Sequence, residues 1–271
     1  NQWNVYAYIG NNLNLAGISY AGFYTESSVA FNTTSRWGDA STPSSASGYV
    51  GCPVDIDYHT VVSKRQGFPA GYYSLGVPAH DDDVRLYVNG VQVFEHVGCC
   101  DAHANVWCGY LDGTSTIEIR HAEGVGGSYH ALSFTNTGNP GSFGVNQWNV
   151  YGYNGGNINL TGTYFGNYTE TALSYNSLNR WTNLGSPSDA YGWVGCYVPV
   201  DNHAVVSKRQ GFPCGVYSLS MPNNDDDVQV YVNGGLVGSG ACCNSLTGNF
   251  WTGYLTSTST IEVRHLEGGG G

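Results

Sequence analysis

The sequence predicts an all-β protein: two tandem β-sandwich or barrel domains of antiparallel strands, stabilised by disulfides. Three observations predict it. Short runs with apolar residues at every second position are broken by Gly, Pro, Asn and Ser, and no segment keeps a helical period over three turns. The 271 residues include 39 Gly, 21 Tyr and 7 Trp but only 1 Met, a composition of strand and turn formers. The chain is also one unit written twice. Asn1-Gln2-Trp3-Asn4-Val5-Tyr6 returns as Asn146-Gln147-Trp148-Asn149-Val150-Tyr151, residues 63–69 return as 207–213, and Ile117-Glu118-Ile119-Arg120-His121 returns as Ile261-Glu262-Val263-Arg264-His265.

In chain order, the alternating runs of the first copy are 16–24, 49–57, 60–65, 71–77, 84–89, 91–96 and 116–121. The run from Val84 through Leu86 and Val88 ends at Asn89-Gly90, and its repeat from Val228 through Val230 and Val232 ends at Asn233-Gly234. An Asn-Gly pair between alternating runs is a hairpin signal. Thr135-Asn136-Thr137-Gly138-Asn139-Pro140-Gly141-Ser142 is all turn chemistry. It divides the chain into a first domain at 1–137, a linker at 138–145 and a second domain at 146–271. The first copy runs on past Glu123 into a closing strand at 128–134, whereas the second reaches Glu267-Gly268-Gly269-Gly270-Gly271. The second domain is therefore expected to lack its last strand. Its open edge, expected beside 260–265, would be filled by residues further along or by a strand from a neighbouring chain.

Only 11% of residues are charged and the formal net charge is -11. That balance argues against nucleic acid, which needs a basic surface, and suits divalent cations and neutral partners such as sugars. No apolar run approaches membrane-spanning length, so no membrane insertion is expected. The cysteines are Cys52, Cys99, Cys100 and Cys108 in the first copy, and Cys196, Cys214, Cys242 and Cys243 in the second. The vicinal pairs lack the spacing of a zinc knuckle. Four cysteines per copy suit two disulfides per domain with no free thiol, and an oxidising, secreted or cell-surface location. Four cysteines allow three pairings, which the sequence leaves open.

The chemistry centres on Asp81-Asp82-Asp83, repeated as Asp225-Asp226-Asp227 at the mouth of an alternating strand. Three adjacent carboxylates repel one another unless a cation or water neutralises them. Two readings stand: a calcium site or a solvated acidic turn.

The unit resembles the anthrax protective-antigen-type (PA-fourteen) domain, and more closely its lectin branch, the yeast flocculins and epithelial adhesins. The matching residues are Leu15-Ala16-Gly17-Ile18-Ser19-Tyr20-Ala21-Gly22-Phe23-Tyr24 and Gly71-Tyr72-Tyr73-Ser74-Leu75. They continue with Asp81-Asp82 before Val84-Arg85-Leu86-Tyr87-Val88-Asn89-Gly90, and then vicinal Cys99-Cys100. The second copy matches through 215–219, Asp225-Asp226 and Cys242-Cys243. The resemblance implies calcium held by two neighbouring aspartates across a cis Asp-Asp peptide, with sugar hydroxyls completing the shell. The pair is Asp81 and Asp82 or Asp82 and Asp83, the first being preferred because Asp83 then takes the family's variable third place. In the second copy it is Asp225 and Asp226. The family's later loop often supplies an Asn. Here Glu123-Gly124-Val125-Gly126-Gly127 takes that place, so Glu123, and Glu267 in the second copy, become the further ligands. Candidate sugar contacts are Asp83, Val125 and Trp107, with Asp227 and Trp251 in the repeat.

Several residues carry a plainer alternative. Trp107, Trp251, Trp37 and Trp181 suit packing as well as sugar stacking. Lys64 and Arg65 suit a structural ion pair. His80, His96 and His103, with Asp101, carry transition-metal chemistry, yet they are absent from the second copy and read as scattered surface histidines. The function expected is a calcium-dependent carbohydrate-binding module of an adhesin, with glycan as partner and duplication raising avidity. The alternatives are a structural repeat of a self-associating filament and a glycoside hydrolase using Glu118 and Glu123. No nucleophile elbow or other catalytic motif accompanies that carboxylate pair, so the chain is expected not to be an enzyme.

Overall fold

The computed structural model describes residues 1–243 and 246–270. The chain divides into two compact units, Asn1–Asn136 and Thr137–Gly271.

The first unit contains β1 (Trp3–Ile9), β2 (Ser19–Glu26), β3 (Phe31–Asn32), β4 (Val50–Gly51), β5 (His59–Gln66) and β6 (Gly71–Val77). It continues with β7 (His80–Asp81), β8 (Asp83–Val88), β9 (Val91–His96), β10 (His103–Leu111), β11 (Thr116–Glu123) and β12 (Tyr129–Asn136). The larger sheet runs β4-β2-β1-β5-β11-β8-β9, and the smaller runs β10-β6-β12-β3 with β7 also on β12. Val5, Leu86 and Ile119 of the larger sheet meet Leu75, Leu111 and Leu132 of the smaller in one core, each at most 1% exposed. A fully buried aliphatic side chain contributes about 1.5–3 kcal/mol, so this contact is the main cohesion of the unit. Alternation in β8 explains its place: Val84, Leu86 and Val88 are buried and the residues between them half-buried. Asn89 (φ 51°) and Gly90 (φ 79°) then turn the chain into β9. Both φ values are positive, as a two-residue I′ hairpin requires.

The second unit contains β13 (Gly144–Val145), β14 (Trp148–Asn154), β15 (Thr163–Glu170), β16 (Val194–Gly195) and β17 (His203–Gln210). It continues with β18 (Gly215–Ser220), β19 (Asp227–Val232), β20 (Gly235–Gly240), β21 (Asn249–Leu255) and β22 (Thr260–Glu267). Its larger sheet runs β16-β15-β14-β17-β22-β19-β20, with β13 parallel to β17. Its core gathers Val150, Tyr168, Val205, Val230, Leu255 and Ile261.

Four expectations change. The run 49–57 contributes only β4, because Pro53 lacks the N–H a strand needs and Gly51 takes a φ of 153°. The expected linker 138–145 ends in β13, which pairs with β17. The closing strand after Glu123 is β12, and it joins the smaller sheet beside β6 and β7. The edge beside 260–265 is accordingly not open: β22 is an inner strand, paired to β17 on one side and β19 on the other. Strand addition at that edge fails. Among the described residues, the second unit's smaller sheet is β18 and β21.

The cysteines also depart from two disulfides per domain. Cys99 bonds Cys100 and Cys242 bonds Cys243, so each vicinal pair closes on itself. Cys108 and Cys196 are disulfide-bonded as well, whereas Cys52 and Cys214 are exposed free thiols. A pair that bonds its own neighbour uses up two of a copy's four cysteines, and in each copy one of the remaining two, Cys52 or Cys214, is left as a thiol.

Candidate metal centre

The acidic triplet straddles the two sheets. Asp81 ends β7, opposite Tyr129 of β12, whereas Asp83 opens β8, opposite Ala122 of β11. The Asp81–Asp82 peptide between them is cis. One carboxylate oxygen from each of Asp81, Asp82 and Glu123 lies within 4.8 Å of the others. Glu123 ends β11, is 0% exposed, and neither of its oxygens has a hydrogen-bond partner among the described residues. Burial first, then the charges of Asp82, Asp81, Asp57 and Asp83, push its carboxyl up to about 8. Burial and then Asp82 raise Asp81 as well. A carboxylate group crowded and dried in this way favours either a proton or a cation.

The Gly-rich loop closes over these side chains. Gly124 N–H donates to Asp82 Oδ2 (3.0 Å), and Gly126 N–H donates to Asp57 Oδ1 (3.0 Å). A Cβ on Gly124 would stand 3.0 Å from Asp82 Oδ2, and one on Gly127 2.8 Å from Asp81 Oδ2. A side chain at either position would press on these carboxylates and shift them.

Histidines fix the backbone from behind. His121 Nε2–H donates to the Asp81 carbonyl, and His80 Nδ1–H donates to the Asp82 carbonyl at 2.5 Å. A carbonyl only accepts, so those ring nitrogens carry the protons. His59, His121 and His130 are all 0% exposed. Burial lowers His59 to about 4, and burial with the neighbouring rings lowers His130 to about 3 and His121 well below the usual value. Ser128 Oγ meets His59 Nε2 at 2.8 Å and Ser63 Oγ meets His130 Nε2 at 3.1 Å, so the neutral rings stay hydrogen-bonded.

The second copy repeats most of this. Asp225–Asp226 is cis, His265 Nε2–H donates to the Asp225 carbonyl, and Gly268 N–H donates to Asp226 Oδ2 (2.9 Å). Asn224 Nδ2–H takes the role of His80, donating to the Asp226 carbonyl at 2.7 Å. Cys242 Sγ and Cys243 Sγ stand 3.2 and 3.1 Å from Asp225 Oδ1, and the close group is Asp225, Asp226, Cys242 and Cys243. Glu267 lies outside that group, although it is 5% exposed, its Oε1 lacks a hydrogen-bond partner among the described residues, and burial and the two aspartates raise it.

Other sequence candidates fall in different places. Asp83 Oδ1 accepts Gly98 N–H at 2.7 Å and so ties down the loop before the vicinal cysteines. Asp227 opens β19 as Asp83 opens β8. Val125 is 62% exposed in the Gly-rich loop. Trp107 and Trp251 pack against the two cores, each ring pressed over the glycine two residues on, Gly109 and Gly253. Their bulk therefore belongs to packing. Trp37 is buried and Trp181 packs on the second core. Lys64 pairs with Glu118 at 2.9 Å, and Arg120 holds the same carboxylate. Among the described residues Arg65 forms no such pair: its guanidinium donates to backbone carbonyls of Gly67 and Ser27 and lies over Phe68.

The scattered-histidine reading is wrong. His80 is buried, and one ring nitrogen from each of His80, His96 and His103 lies within 4.8 Å of the others. They come from β7, β9 and β10, which the sequence alone did not bring together. Burial, then His96 and His80, lower His103. The backbone-holding role of His121 and His265 was also missed, although both close the repeated Ile-Glu-Ile/Val-Arg-His strand.

No family model matches the chain, and no curated protein matches it. Among solved structures it is similar to a PA14 sugar-binding domain from an RTX adhesin, at 18% identity and TM-score 0.40 over 51% of this chain and 91% of that one. The PA14 domain of an MpAFP antifreeze protein shares 14% identity at TM-score 0.38, over 64% of this chain and 93% of that one. An anti-sigma factor domain-containing protein from Clostridium clariflavum shares 11% identity at TM-score 0.35, over 98% and 90% of the two chains.

Proposed function

We propose that each unit is a calcium-dependent carbohydrate-binding module, and that the chain belongs to a secreted or cell-surface adhesin. The observation that carries this reading is the meeting of Asp81 and Asp82 with the buried Glu123, whose oxygens lack a hydrogen-bond partner among the described residues. Hard carboxylate oxygens are what calcium selects, and the ion takes six to eight of them at relaxed geometry. Asp81, Asp82 and Glu123 would hold it in the first unit, and Asp225 and Asp226, with Glu267 behind them, in the second. When bound, calcium would offer sugar hydroxyls an electrophilic anchor, since vicinal diols present two oxygens at chelating distance.

The surroundings suit a neutral polyol. The aspartates are half-buried rather than enclosed, and the exposed Val125 and Tyr58 flank the loop, Tyr58 through its N–H donated to the Gly124 carbonyl (2.9 Å). An exposed ring beside a metal-held sugar supplies an apolar face for stacking. Binding rather than hydrolysis is the reading supported by Glu118, which Lys64 and Arg120 engage.

Calorimetric titration of the chelator-treated chain with calcium tests the metal half of this reading. Two sites are expected, one per unit. Absence of both heat and any thermal shift would end it.

A further inference from the structure

We propose that His80, His96 and His103 form a second metal site in the first unit, selective for a borderline-soft divalent cation such as zinc. It is separate from the acidic centre and stands whether or not that centre takes calcium.

The ring nitrogens are poised for it. His80 Nδ1–H is committed to the Asp82 carbonyl at 2.5 Å, which leaves Nε2 with its lone pair. Metal-bound histidines are oriented in this way, by a hydrogen bond from the other nitrogen. His103 Nε2 stands 3.2 Å from His80 Nε2. Two imidazole nitrogens on one tetrahedral zinc, each at about 2.0–2.1 Å, stand roughly 3.3 Å apart. The third ring, His96, has its centroid 5.0 Å from that of His80 and 4.5 Å from that of His103.

A simple hydrogen bond between His103 and His80 would account for two of the rings. It leaves the third unexplained, because His96 Nδ1 is buried and has no hydrogen-bond partner among the described residues. A cation shared by the three accounts for all of them. The other nitrogen of His96 has a carboxylate near it, with Asp101 Oδ2 3.6 Å from Nε2. Three neutral imidazoles favour zinc, copper or nickel over calcium, which takes oxygen ligands. Solvent fills the remaining position, and Asp101 orients the His96 ring from its other side.

The second unit separates the structural from the ligating role. Position 80 becomes Asn224, and Asn224 still donates to the carbonyl of the second aspartate. The backbone there needs a donor, and asparagine is sufficient. Gly240 stands in the place of His96, opposite Val228 as His96 stands opposite Val84, and no histidine falls between Cys243 and Trp251 where His103 would lie, so the three histidines are replaced as a set. A ring with a second nitrogen has a use only where all three meet.

The test uses the whole chain, oxidised, stripped of transition metals and saturated with calcium so that the acidic centres are occupied. Cobalt(II) is titrated in and its visible absorption followed, then zinc is added in competition. The expected result is uptake of one cobalt per chain with the intense bands of a tetrahedral site, displaced by zinc. His96→Gly copies the second unit, and His103→Thr alters a second, partly exposed ring; neither touches the acidic centre. Each should lose cobalt binding while calcium uptake stays unchanged. No cobalt uptake by the unaltered chain would overturn the proposal. So would uptake that persists in either variant, since the ion would then be held elsewhere, for example at the cysteines.

Discussion

Glu123 bears the heaviest electrostatic load of any carboxylate described in the first unit. Its folded value of about 8 stands above the ordinary 4.5. The folded state thus keeps a proton that the unfolded chain releases. Stability from that proton is full below pH 4.5 and is lost as pH rises through about 8. Calcium-free protein should therefore lose this contribution progressively as pH rises from about 4.5 to about 8, and Glu123→Gln should remove the decline while weakening calcium uptake. Thermal denaturation across that range, with and without chelator, measures both effects. The buried histidines act in the opposite direction. His59 falls from 6.5 to about 4 and His130 to about 3, so the unfolded chain binds protons first on acidification. Their contribution is full above pH 6.5 and is lost as pH falls toward 4 and below. The melting temperature should drop steadily through that window, and a flat profile would contradict the burial assigned to these rings. At the aspartates the prediction is local: Asp82→Ala should abolish calcium uptake by the first unit and leave the second titrating normally.

The elements around the site are stiff strands joined by glycine-dependent turns, and the turns are the sensitive parts. Gly124→Ala would put a methyl group 3.0 Å from Asp82 Oδ2 and remove the fit of loop to carboxylate. Calcium affinity in the first unit should fall at least tenfold, read by the same calorimetry, with the fold retained. Gly90→Val, at φ 79° in the β8–β9 turn, should cost about 1 kcal/mol or more in denaturant unfolding without affecting calcium. Elements of this kind were legible where alternation and turn chemistry agreed. The strands at 71–77 and 91–96 are as the sequence implies, and so is the Asn-Gly hairpin between β8 and β9. Alternation in 49–57 misled because Pro53 interrupts the ladder. Strand order was not legible, since period-2 patterning tells which face is buried and not which strand lies alongside. For that reason the second unit's missing counterpart of β12 was expected at an edge beside 260–265, and the three histidines of β7, β9 and β10 looked unrelated. The aspartates were legible because they are adjacent in sequence and duplicated. Glu123 followed from its position at the loop, whereas its burial did not.

Across the molecule, the duplication gives two acidic centres that differ in their neighbours. Asp81 and Asp82 meet Glu123, while Asp225 and Asp226 meet the vicinal disulfide of Cys242 and Cys243. The two calcium affinities should therefore be unequal, with the first unit tighter. Alkylation of the native, unreduced chain should label Cys52 and Cys214 and spare the vicinal pairs, as mass spectrometry would register. Linked weak sites gain avidity only if each unit binds, so a chain carrying one intact aspartate pair should hold a multivalent glycan surface less tightly than the unaltered chain. The most direct measurement is a glycan array probed with calcium, with chelator, and with a variant carrying both Asp82→Ala and Asp226→Ala. Binding to a defined set of glycans that disappears with chelator, returns with calcium and is lost in the double variant is the predicted result. Glycan binding that ignores chelator and survives loss of both aspartates, or no glycan binding with calcium saturated, would contradict it.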